Sequence, residues 1–193
     1  MAGFNSKRFH QVLRFTDFFV MFFQVIMAIV IGAGFLVFLV LIFLPSSWFV
    51  FDNLSSELNF VSANIIISDF DFSKSLKTLF MLSGLLLAFY GVFGYYVLQR
   101  LHRVVKKTRD QKPFDESVIS DLFRMGYALM LAGIIIPIVD IILVTLIRTT
   151  YQLNFNIEFD IQMNLIFTGI LVYILANIFE YGAHLQSEVD LTV

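Results

Sequence analysis

The chain has 193 residues, of which 59% are hydrophobic and 15% charged, with 24 Phe, no Cys and a formal net charge of −2. A soluble domain carries roughly 25% charged residues, and here the charges are bunched, leaving four long runs nearly free of them. Together these features exclude a soluble domain, a disulfide framework, a thiolate metal site and cysteine nucleophile chemistry.

Residues 1–17 read as a short tail carrying Lys7, Arg8 and Arg14. Residues 18–44 follow without a charge, 27 in all. As a helix they measure about 40 Å, longer than a bilayer core of about 30 Å, which predicts a tilted or protruding span. The run is too long for the roughly 7–15-residue core of a signal peptide, and Pro45 stops it.

Residues 45–77 form a polar excursion. The β-branched run 64–67 and the polar–aromatic alternation at 69–73 predict short strands. A second span is expected at 78–98. Leu98, Leu101, Val105 and Thr108 then recur at steps of 3, 4 and 3, so the helix should continue into the charged segment 99–126. Residues 110–113 break it, because proline disfavours helix at the residue before it. Asp115 is placed as the N-cap of a second arm, in which Phe114, Val118, Leu122 and Gly126 line up every four residues. The two arms predict a helical hairpin.

A third span is expected at 127–147, carrying Pro137 and Asp140, with Arg148 at the interface. From Tyr151 to Asn164 apolar and polar residues alternate without a fault, which predicts a strand within 148–164. A lone strand leaves its backbone unpaired, so it should join strands of the first excursion in a small β-layer built from both halves. The fourth span is expected at 165–183, followed by an acidic tail at 184–193.

Lys and Arg mark the cytoplasmic side of a membrane protein. Seven of the thirteen lie in 99–126 (Arg100, Arg103, Lys106, Lys107, Arg109, Lys112 and Arg124), and the split between the two faces is ten against three. Both termini and the hairpin are thus expected in the cytoplasm, and both excursions outside. The fold class expected is an all-α integral membrane protein: four transmembrane helices, a cytoplasmic helical hairpin and a small extracytoplasmic β-layer. The tail carboxylates should lie against the basic hairpin, although exposed pairs of this kind contribute little individually.

Asp140 is the costliest residue to place, since a carboxylate near the bilayer centre costs a few kcal/mol even on insertion scales. It is either a proton or cation site, helped by the backbone carbonyl that Pro137 leaves free, or a hydrogen-bonded carboxyl meeting Ser83 or Thr168. Gln24, Asn177 and Glu180 fall one to two turns from the inner interface, where a polar cluster would hold helices together. His10, His102 and His184 come from separate segments without metal-ligand spacing, and read as solvated interfacial residues. Ala28 with Gly32, and Gly84 with Ala88, suit close helix approach within the chain or in a homo-oligomer. The basic hairpin suits anionic lipid headgroups as well as orientation. Phosphate-binding loops, metalloprotease helices, nucleophile elbows and paired catalytic acids do not occur. A non-enzymatic protein without a cofactor is expected.

Three blocks carry a family resemblance. They are Lys112-Pro113-Phe114 with Arg124-Met125-Gly126; Ala176-Asn177-Ile178-Phe179-Glu180-Tyr181-Gly182-Ala183 with Leu185; and the ending Glu188-Val189-Asp190-Leu191-Thr192-Val193. In these the chain resembles a family of uncharacterised bacterial four-span membrane proteins, domain of unknown function 2975, whose hairpin often has Asn where this chain has Ser117. The resemblance implies the bacterial cell membrane and a gene often neighbouring that of a small helix-turn-helix regulator of the Cro/CI type. The expected function is a membrane sensor or regulator that docks such a regulator and does not itself bind nucleic acid. Candidate docking residues are Arg103, Lys106, Lys107, Glu188, Asp190, Leu191, Thr192 and Val193. The alternatives are a small transporter or an immunity-type protein against membrane-active peptides using Asp140, and a structural subunit of a membrane complex.

Overall fold

Four long helices dominate the computed structural model, as four apolar runs require: a membrane-crossing backbone must satisfy its own hydrogen bonds. They are α1 (Ser6–Phe43), α2 (Lys77–Arg109), α3 (Glu116–Tyr151) and α4 (Met163–Thr192), and each is long and apolar enough to cross a bilayer. The structure describes residues 6–49, 57–59, 64–66, 76–110, 114–151 and 160–192, and the side chains of 11–48, 76–110, 114–151 and 160–188. The alternation at 69–73 and the break at Lys112 and Pro113 lie outside them. After α1 comes one 3-10 turn, Ser46–Phe49. Two three-residue strands, β1 (Glu57–Asn59) and β2 (Asn64–Ile66), pair antiparallel with Leu58 opposite Ile65.

The β-layer shared by both halves is not formed among the described residues. Tyr151 closes α3, while Met163 and Asn164 open α4, so both ends of the alternating run are helical. The middle of that run, 152–159, lies outside the described residues. At the first end a tertiary contact overrides the period-two pattern. Tyr151 is 5% exposed, and its hydroxyl accepts the Leu79 N–H at 3.3 Å, satisfying one of the orphan donors at the start of α2. Arg148 likewise does not end the third helix, which runs a turn further.

The chain divides into two compact units. The first comprises Met1–Ala28, Phe93–Ala132 and Met163–Val193; the second comprises Ile29–Val92 and Gly133–Gln162. In the first, Val118, Leu122 and Ala176 form a buried core with Val104, Phe123, Val172 and Phe179 packed against it. Val118 and Leu122 belong to the four-residue stripe of the second arm. Gly126 and Gly169 bring α3 and α4 into backbone contact: a Cβ on Gly126 would stand 3.0 Å from the Gly169 carbonyl oxygen and from the Tyr173 nitrogen. Beneath this, Phe114 lies on Gly182, with its ring 5.7 Å from that of Phe179. Phe114 belongs to one of the blocks that carry the family resemblance and its two partners to another, so this contact gives those residues a joint structural purpose.

In the second unit α1 meets α2 at Gly34 and Gly84. A Cβ on Gly34 would fall 2.7 Å from the Gly84 carbonyl oxygen and 2.9 Å from the Ala88 nitrogen, closer than any side chain can sit. Gly84 and Ala88 therefore serve packing within the chain. Their partner is Gly34 rather than Gly32, which has nothing within 4 Å. Lys77 donates to the Leu44 carbonyl at 2.6 Å and the Ile42 carbonyl at 3.4 Å, a cation at the end of α1 where the helix dipole favours one.

Candidate functional site

Most of the charge of the first unit is gathered along two seams. On the α1–α2 seam, Asp17 accepts from Arg109 Nη1 at 2.7 Å, and His102 Nδ1 stands 2.9 Å from the other carboxylate oxygen, off the line of a straight hydrogen bond. His102 and Arg109 lie seven residues apart, two turns along one face of α2. The Asp17 side chain is only 12% exposed. On the α2–α3 seam, Asp121 is held by Arg100 at 2.6 Å and Arg103 at 3.5 Å. Arg100 also lies over the Tyr96 ring, 5.0 Å from its centroid.

At the turn between the arms, Asp115 caps α3 by accepting the Ser117 N–H at 2.9 Å. The Ser117 hydroxyl donates to the same carboxylate oxygen, and Lys107 bonds both Asp115 and Ser117. These bonds, those from Ser117 foremost and that from Lys107 after them, hold the Asp115 carboxyl down to a pKa of about 2. This contact uses the residue that is often Asn in the resembling family.

The basic arms are thus paired with Asp17, Asp115 and Asp121, and among the described residues neither Glu180 nor Glu188 pairs with them. Glu180 and Glu188 are exposed, and Glu188 faces His184 one turn back at 3.7 Å. Arg103 and Lys107 are occupied by Asp121 and Asp115, whereas Lys106 is exposed. Side chains of Asp190, Leu191, Thr192 and Val193 lie outside the described residues.

The polar cluster expected of Gln24, Asn177 and Glu180 is not formed. Asn177 donates to the Tyr173 carbonyl of its own helix at 2.8 Å, and no hydrogen bond among the described residues joins the three. His102 is not a solvated interfacial residue, because it faces Asp17; His184 is exposed. The pairing of Asp17 with Arg109 and His102, and of Asp121 with Arg100, was not anticipated from the sequence. One signal was present, since Asp17 is the last charge before 27 uncharged residues.

In the second unit Asp140 is fully buried, and the Tyr90 hydroxyl donates to its Oδ1 at 3.4 Å. Neither expected partner is used. Ser83 Oγ is buried without a hydrogen bond, and Thr168 donates to the Asn164 carbonyl of its own helix. The carbonyl freed by Pro137 belongs to Gly133, and it accepts the backbone N–H of Gln162 at 3.1 Å. It therefore already has one donor. Leu85, Leu86 and Phe89, together with Val139, Ile142 and Leu143 beside Asp140 in sequence, line an apolar pocket of about 290 Å³. Among the described residues no three His, Asp or Glu gather as a metal site.

Four membrane-length helices, linked in two pairs through glycine contacts, α1 with α2 and α3 with α4, define a multi-pass α-helical membrane protein. The chain belongs to the family described as Protein of unknown function (DUF2975), whose model matches residues 61–193. No curated protein and no solved structure matches it.

Proposed function

We propose that this is a non-enzymatic bacterial cell-membrane protein that senses an envelope state and docks a small helix-turn-helix regulator on its cytoplasmic face. The observation that carries the reading is α4. It stays helical to Thr192, 30 residues or about 45 Å, against a bilayer core of about 30 Å. Its last turns, with exposed His184, Leu185, Gln186, Ser187 and Glu188, are free to present an acidic helical end. Because Arg103 and Lys107 are occupied by Asp121 and Asp115, docking rests on this end, residues 188–193, rather than on the hairpin. The ten-to-three charge split supports a cytoplasmic placement for it. The regulator itself is what the family resemblance implies. A cross-linked pull-down from the native host, with and without residues 188–193, tests the reading. Recovery of a small DNA-binding protein only with the intact end is expected; equal recovery, or membrane subunits alone, removes it.

A second reading, a small transporter or an immunity-type protein, draws on Asp140. A fully buried carboxylate beside a tyrosine hydroxyl in a membrane helix belongs to a class that leans functional. Asp140→Asn should then abolish export or peptide protection while the protein still inserts, and full activity in that variant excludes it.

A further inference from the structure

Arg14, Lys106 and Arg124 are exposed and, among the described residues, have no hydrogen-bond or ion-pair partner. Two of them belong to the Asp17 seam. Arg14 precedes Asp17 by three residues, about 4.5 Å along α1. Lys106 falls between His102 and Arg109 on the stripe of α2 that meets Asp17, at steps of four and three. Arg14 thus lies within a turn of Asp17 on α1, and Lys106 between the two α2 residues, His102 and Arg109, that face it. Even with Asp110, 3.9 Å from Arg109, the seam keeps an excess of positive charge.

Alongside this excess α1 is apolar and uncovered. Phe15, Phe18 and Phe22 are 65%, 66% and 52% exposed, and Phe19 is 42% exposed. A free phosphate would satisfy the cations alone and make no use of the aromatic stripe, which lies in a membrane-length span. A molecule with an anionic head and an apolar tail satisfies both. We infer that the α1–α2 seam is a binding site for an anionic phospholipid, its phosphate held by Arg14 and Lys106 and its acyl chains against Phe15, Phe18 and Phe22. Each such cation strengthens binding to an anionic surface by about fivefold, so the pair accounts for roughly thirtyfold.

The test is lipid binding by the full chain in detergent, read by native mass spectrometry and thermal shift, with phosphatidylglycerol and phosphatidylcholine as probes. Phosphatidylglycerol should bind and stabilise selectively. The double variant Arg14→Gln, Lys106→Gln should lose roughly thirtyfold in its affinity for that lipid, while melting as the parent does in phosphatidylcholine. Arg148→Gln, an exposed cation of the other unit, should lose nothing. Equal binding of both lipids overturns the site, as does a double variant that keeps its preference or an equal loss in Arg148→Gln. Competition by glycerol phosphate at concentrations matching the lipid also overturns it, because the ligand would then be a free phosphate. Should the double variant fail to fold, salt on the parent chain decides. The preference must fade as ionic strength rises past about 0.1 M, where the screening length is about 10 Å, and a salt-insensitive preference refutes the inference.

Discussion

Asp17 shows how a single acid can organise an arm that the sequence presents as simply basic. One of its oxygens accepts from Arg109 and the other stands beside His102 two turns earlier on α2, so part of the segment's positive charge is used in holding helices together. Asp115 acts locally, and its effect depends on pH. Its pKa is lowered by folding, so the stability it contributes is fully present above the unfolded value near 3.9 and is lost as pH falls toward about 2. Melting of the purified chain should therefore weaken across that interval, and Asp115→Asn, which keeps the cap but not the charge, should flatten the dependence. The cap was legible in the sequence because it lies just before an apolar periodic stripe and beside a proline break. The Asp17 pairs were not, since Asp17 and Arg109 are 92 residues apart and only the packing of α1 on α2 brings them together.

The same limit governs the elements. Helix number and approximate position were readable because uncharged runs of this length have one solution in a bilayer. The alternating run was misread at its ends, because period two describes side chains and says nothing of the Tyr151 hydroxyl waiting on the Leu79 amide. Small residues flagged the α1–α2 contact, but only structure chooses between Gly32 and Gly34. The choice has a sharp consequence. Gly34→Ala pushes a methyl into the backbone of Gly84 and Ala88 and should destabilise the chain by about 1–3 kcal/mol. Gly32→Ala meets nothing and should be neutral or stabilising by up to about 1 kcal/mol through helix propensity. Thermal melts of the two variants in one detergent provide the comparison, and equal melting temperatures would refute the assignment of the seam.

At the scale of the whole chain, the proposed orientation puts the N- and C-terminal ends on the same side of the membrane. The absence of cysteine makes this directly measurable, because each engineered thiol is the only one present. With the proposed orientation, Ser187→Cys should resist an impermeant maleimide in intact cells and react once they are opened. Ser46→Cys, after α1, should react in both. The reverse pattern would invert the orientation and place the docking end of α4 outside the cell.

Pro137 gives the ordinary account of proline an unexpected turn. By withholding a donor from Gly133 it reserves that oxygen for the residue that ushers in the next helix. Restoring a conventional residue there would mend α3 and, in the same stroke, create a rival for the acceptor that Gln162 uses. A substitution that looks like a repair in one helix would thus act as a loosening at the threshold of another.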